Sequence, residues 1–230
     1  MNTEDNSKKL TNILKLYESL PFGIVLSLIG GYLDAYTYIS RDGVFANAQT
    51  GNIVFLGLHA AKGEWKQVLM YIPPILAFVL GVITVEIIKK AHPTRFLIHW
   101  AHFILLLEMI LLFLLGFVPP EFPNGIVTVS ISFIAAVQVC SFNKLVDSSY
   151  ATTMMTGNLR TFSQSLYKAI SDRDKVYATR AARYFAVIVS FILGAVIGGI
   201  ITNHTGIRAI WASSIILAGL IVISRIRENK

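Results

Sequence analysis

Residues 96–118 form an apolar run in which Glu108 is the only formally charged side chain. Coiled as a helix at 1.5 Å per residue, such a run crosses the ~30 Å hydrocarbon core of a bilayer. Residues 20–40, 70–90, 125–146, 180–202 and 207–225 read the same way. A globule cannot hide them all. Of the 230 residues, 54% are hydrophobic and only 14% are charged, against about 25% charged in a soluble domain. The expected fold class is therefore an all-α integral membrane protein, a single membrane domain over residues 1–230. Its expected setting is the lipid bilayer.

Two shorter apolar segments, about 50–62 and 156–169, follow the first and fourth of these runs. As helices they reach only ~20 Å, which suits a half-membrane segment. Each opens on the same tripeptide, Thr50-Gly51-Asn52 and Thr156-Gly157-Asn158. Phe78 and Gly81 are echoed by Phe191 and Gly194, and His92 with Trp100 by His204 with Trp211. The order of matched features predicts two repeats, 20–118 and 126–225, joined by a Pro- and Gly-containing linker over 119–125.

Charge placement bears on topology. The net charge is +7. The basic residues lie mostly between apolar runs, with no aromatic-interleaved basic tract that would suit nucleic acid, so no nucleic-acid partner is expected. If the short segments dip in and return, six helices cross. Lys8, Lys9, Lys15, Lys89, Lys90, Arg95, Lys144 and the later Lys and Arg residues other than Arg208 then share one side. Arg41, Lys62, Lys66 and Arg208 lie on the other. Eight crossings would weaken this asymmetry, so the positive-inside rule favours six, with both termini cytoplasmic. Three crossings per half invert the second repeat relative to the first, as in many secondary transporters. Residues 1–19 carry no cleavable signal pattern, and residues 7–19 suggest a short helix leading into the first span. The single cysteine, Cys140, excludes an internal disulfide.

Asp34 is the sharpest candidate for chemistry. A carboxylate inside a span is costly unless it faces protein or water. It shares a helix face with Gly23, Ser27, Gly31 and Tyr38, a small and polar stripe suited to helix contact or a solute path. The Thr-Gly-Asn turns suggest helix N-termini at mid-membrane, with Thr and Asn as capping residues. Free N–H groups and a partial positive charge would point inward. Solute-binding residues expected on this basis are Asp34, Thr50, Gly51, Asn52, Thr156, Gly157 and Asn158, with Asn52 and Asn158 as symmetric ligands of one central site. Asp34, Glu108 and Lys144 are candidates for ion coupling, Lys144 as a partner for Asp34. Aligning the repeats on Thr-Gly-Asn sets Asp34 against Cys140. Asn143 and Asp147 end the fourth span. His99 and His102 lack a third ligand, so no metal is expected, and no cofactor motif is present. Gly194 and Gly198 suggest a close-packing face, internal or between subunits, that leaves a homo-oligomer open. Trp65, Trp100 and Trp211 suit the membrane interface.

Gly31, Tyr32, Asp34 and Ala35 in a first span, then Phe45, Thr50, Gly51 and Asn52, then Thr153, Thr156, Gly157 and Asn158, carry a resemblance. The chain resembles the YoaK family, bacterial membrane proteins with a domain of unknown function numbered 1275. The resemblance implies a multi-pass protein of the bacterial inner membrane and no particular substrate. The functional expectation from the residues is a transporter or channel for a small polar or charged solute, passive or gradient-driven, coupled to protons through Asp34. A non-transporting assembly protein is the alternative, and a membrane enzyme is a weaker one, because no acid or His cluster sits at one interface.

Overall fold

The computed structural model describes residues 16–91, 93–119, 121–146 and 148–228. In order, its helices are α1 Leu20–Ser40, α2 Gln49–Ala61, α3 Trp65–Ala91, α4 Pro93–Leu115, α5 Asn124–Ser141, α6 Met155–Ser171, α7 Lys175–Thr205 and α8 Ile210–Glu228. A 3-10 turn, Gly206–Ala209, joins the last two. The only extended pairing among the described residues is antiparallel, Lys144 against Ser149 and Leu145 against Ser148. Helices α1, α3 and α5 and the segment Lys175–Arg227 are long and apolar enough to cross a membrane, and α4 adds the shorter apolar stretch Trp100–Leu115.

The surface is apolar and the interior is polar in places. Leu69, Leu76, Leu80 and Ile87 of α3, Ile192, Val196 and Ile200 of α7, and Ile215 and Val222 of α8 are exposed. Ser27, Asp34, Asn52, Glu108, Ser132, Gln138 and Asn158 are buried. Water-soluble monomers rarely expose an apolar surface this broad. Lipid tolerates it, provided the polar backbone is satisfied within the protein.

Helix ends depart from the hydropathy limits for local reasons. Helix α7 begins five residues early because Asp174 caps it, its Oδ1 accepting from the Val176 N–H at 2.7 Å. Helix α5 stops at Ser141, short of residue 146. The chain there turns into the small hairpin, held by the Tyr184 hydroxyl donating to the Ser149 carbonyl. Val146 adopts φ 58° at this bend, and its N–H donates to the Glu18 carbonyl at 2.7 Å. Of the helix expected over 7–19, residues 7–15 lie outside the described residues.

Two helix pairs form the centre, α1 against α7 and α3 against α5. In the first, Ser27, Gly31 and Tyr32 meet Val187, Phe191 and Gly198, so the helices run parallel. Backbones touch because the contact residues are glycines. A Cβ on Gly194 would fall 2.0 Å from the Leu28 carbonyl oxygen, and one on Gly31 2.0 Å from that of Phe191. In the second pair a Cβ on Gly81 would fall 2.6 Å from the Phe133 carbonyl oxygen. The Gly194 and Gly198 face is thus internal. Helix α8 lies on α4, with Ser214 Oγ donating to the Met109 carbonyl and Trp211 Nε1 to that of Phe113.

Gly31→Ala and Gly194→Ala are expected to force α1 and α7 apart, each costing about 3 kcal/mol, the upper end of ordinary overpacking. Gly219→Ala, where nothing lies within 4 Å of an added Cβ, should leave stability unchanged. Thermal unfolding in detergent distinguishes these outcomes.

Candidate functional site: two hairpin tips on the first helix

The chain leaves α1 at Arg41, turns through Asp42 (φ 60°) and Gly43 (φ 71°), and runs back along the helix it has just left. The Tyr38 and Phe45 rings stack at 4.9 Å. One residue deeper, Thr37 Oγ1 accepts from the Ala46 N–H at 3.1 Å. Asp34 Oδ1 accepts from the N–H groups of Asn47 and Ala48 at 2.7 and 3.3 Å. Deeper still, Asn47 Nδ2 donates to the Gly30 carbonyl at 3.1 Å. Helix α2 starts there and returns toward the Ser40 end of α1, since the Phe55 ring lies 6.5 Å from that of Tyr38.

A second hairpin reaches the same place from the other end of α1. Its base lies beside Gly23, next to Leu145 and Tyr150. Ser27 Oγ donates to the Thr152 carbonyl at 3.0 Å. The Thr153 methyl carbon lies 2.6 Å from where a Gly30 Cβ would sit. Helix α6 then returns along α7, Phe162 packing on Phe185 and Lys168 lying over the Tyr177 ring. Gly30 is therefore where the two tips meet: Asn47 on its carbonyl, Thr153 against its α-carbon.

Asp34 is only 4% exposed. Its carboxyl holds the two N–H groups that immediately precede α2, close to the partial positive end of that helix. Among the described residues its Oδ2 has no hydrogen-bond partner. Nearby, Thr152 Oγ1 donates to Gln138 Oε1 at 3.3 Å. Gln138 Nε2 lies 2.9 and 2.8 Å from the two oxygens of the buried Glu108. The partner that Glu108 requires in mid-span is thus an amide. Ser132 Oγ donates to the Ala46 carbonyl at 2.8 Å, tying α5 to the first hairpin.

The Thr-Gly-Asn turns sit one turn further into their helices than the sequence suggests. The N-cap positions are Ala48 and Met154, neither with a side-chain cap. Thr50, Gly51 and Asn52 lie inside the first turn of α2, and Thr156, Gly157 and Asn158 inside that of α6. Each Asn reaches back seven residues and clamps its own loop. Asn52 Oδ1 accepts from the Phe45 N–H at 2.9 Å, and its Nδ2 donates to the Phe45 carbonyl at 2.8 Å. Asn158 does the same with Ala151, at 3.4 and 2.7 Å. These amides are spent on backbone. Thr50, Thr156 and Gly157 are exposed or open, while Gly51 lies under the Phe45 ring. Helices α2 and α6 share no packed interface; α2 lies on α3 and α6 on α7.

Other sequence candidates separate from the site. Lys144 is exposed and lies 3.7 Å from Glu18, so its partner is not Asp34. Asp147 and the His99 side chain fall outside the described residues. The Asn143 carbonyl accepts from the Tyr150 N–H, and the Tyr17 hydroxyl lies 3.0 Å from a His102 ring nitrogen. No group of three metal-ligating residues occurs among the described residues. Arg41, expected at the outer surface, is completely buried. Its guanidinium donates to Asn124 Oδ1, the Tyr36 hydroxyl and the Val118 carbonyl at 2.9, 3.2 and 3.4 Å.

A family model described as "Protein of unknown function (DUF1275)" matches residues 22–223. The chain belongs to the DUF1275 family. The match runs from α1 into α8 and takes in both hairpins, Asp34, Asn47, Thr153 and Arg41, so the family resemblance of the first span and the Thr-Gly-Asn turns extends to the whole DUF1275 bundle. No curated protein and no solved structure matches the chain.

Asn52→Ala and Asn158→Ala are each expected to lose about 2 kcal/mol, two net hydrogen bonds and an unsatisfied backbone. The double variant should lose the sum, because the two clamps share no partner. Arg41→Ala should cost about 3 kcal/mol by taking a charged donor from three acceptors and leaving the space of a fully buried side chain. Denaturant titration of purified protein measures all four.

Proposed function

We propose that the protein is a membrane transporter or channel for a small polar or charged solute, and that Asp34 is the group that binds a cation or carries a proton across it. The observation that carries this reading is the meeting of two non-helical hairpin tips at Gly30, beside a buried carboxylate with one unpartnered oxygen. Within a membrane, backbone leaves regular helix where protein buries it or where it lines a cavity. An intramembrane acid there is a functional residue by default.

An inverted-topology repeat of six crossings fits the contacts and supports the reading. Helix α1 packs on α7 as α5 packs on α3, and α2 on α3 as α6 on α7. Ser27 holds the Thr152 carbonyl and Ser132 holds the Ala46 carbonyl, so each half grips the other's hairpin. This pairing aligns Ser27 with Ser132 and sets Asp34 against Val139, one residue from Cys140; neither is acidic. The site is then two-fold in backbone and one-fold in charge. Helices α1, α3, α4, α5, α7 and α8 cross, and the hairpins before α2 and α6 enter from opposite faces. In this arrangement most Lys and Arg residues share the face assigned to the cytoplasm, and Arg41, Lys62, Lys66 and Arg208 lie toward the other.

Asp34→Asn keeps an oxygen for the Asn47 and Ala48 N–H groups and should insert, purify and melt like the parent. In liposomes holding a pH-sensitive dye it should lose at least ~10-fold of the proton or solute movement shown by the parent against a solute panel. Full activity in Asp34→Asn would overturn the role of the acid. For topology, reporter fusions after Lys66 and after Lys90 should read outside and inside respectively; the reverse order would sink the six-crossing arrangement.

A further inference from the structure

A cavity of about 500 Å³ lies at the turn between α7 and α8, remote from the hairpin tips and unused by the proposed function. Its lining includes Ile201, His204, Arg208, Trp211 and Ala212. We propose that it binds the phosphodiester headgroup of an anionic phospholipid. Three features point there. First, the polar lining is basic, and among the described residues neither Arg208 nor His204 has an ion-pair partner. Arg208 is exposed at a break in the helix where Gly206 takes φ 59°. Its guanidinium fork suits phosphate oxygens. Second, the pocket sits where apolar exposed faces end. Ile197 and Ile200 of α7 and Ile215 of α8 lead up to it, 41%, 56% and 71% exposed. Acyl chains lying along those faces bring a headgroup to the Arg208 guanidinium and the His204 ring. Third, Trp211 forms one wall, its ring fixed by the Nε1 hydrogen bond to the Phe113 carbonyl. An indole held at this level is the usual residue of the bilayer interface. The sequence also repeats the trio in the same order over residues 92–100, as His92, Arg95 and Trp100.

The test uses the full chain in nanodiscs of phosphatidylcholine alone or with phosphatidylglycerol. A ligand bound only by the native state raises its melting temperature. Phosphatidylglycerol should raise the midpoint by several degrees, and native mass spectrometry should show it enriched several-fold over its share of the disc. Arg208→Gln with His204→Gln should remove most of the rise and return retained lipid to the disc ratio, with the phosphatidylcholine midpoint unchanged. Lys62→Gln with Lys66→Gln, cations in the α2–α3 turn and outside the pocket, should keep both effects. Inorganic phosphate at millimolar concentration should give no rise. Equal loss in both double variants would mean general surface charge and overturn the proposal. So would a rise with free phosphate equal to that with lipid, or enrichment that survives in the Arg208 and His204 variant. The readouts are melting and lipid retention, so none depends on transport.

Discussion

A polypeptide that leaves helix inside a hydrocarbon layer must find partners for every N–H and C=O it exposes, because lipid supplies none. The centre of this structure follows from that demand. The first returning segment gives its N–H groups to Thr37, Asp34 and Asn52 and its carbonyls to Asn52 and Ser132. The second is held by Ser27 and Asn158. The small polar side chains on the inner faces of α1 and α5 are there to receive irregular backbone. Glycines at positions 31, 81, 194 and 198 bring the four central helices close enough for those short side chains to reach.

The helices were legible because hydropathy marks them directly, and the spacing of Gly194 and Gly198 marked a close-packing face without saying that α1 would fill it. The short segments were legible as a pair through Thr-Gly-Asn. Their partners were not. The i−7 clamp made by Asn52 closes a loop, and helical periodicity carries no trace of a loop closure. Asp34 stood out as an acid in a span, yet its bonds go to Asn47 and Ala48, across a turn whose left-handed residues, Asp42 and Gly43, give no depth. Arg41 was misplaced for a related reason. It follows a span, so charge counting sets it in water, but Asn124 and Val118, distant in sequence, close over it. Gln138 was invisible as the partner of Glu108, since an amide in an apolar run has no fixed address.

The buried ionisable groups of this bundle are hydrogen-bonded mainly to neutral partners. Glu108 meets an amide, Asp34 meets backbone, and Arg41 meets an amide oxygen, a hydroxyl and a carbonyl. Direct ion pairs among the described residues lie at the periphery, as at Lys89 with Glu86 and Lys144 with Glu18. Among those residues the interior of the bundle is thus tied together by hydrogen bonds to neutral groups and not by ion pairs between side chains.

The two hairpins are built alike but fastened differently. One is gripped by a carboxylate, while the other is held by serine and asparagine, which carry no charge. The Asp34 Oδ1 therefore satisfies two N–H groups of the segment at the Ser40 end and none of its counterpart. Two segments of similar build thus rest on chemically different grips: the acid marks the one at the Ser40 end, and the other has only neutral side chains to hold it.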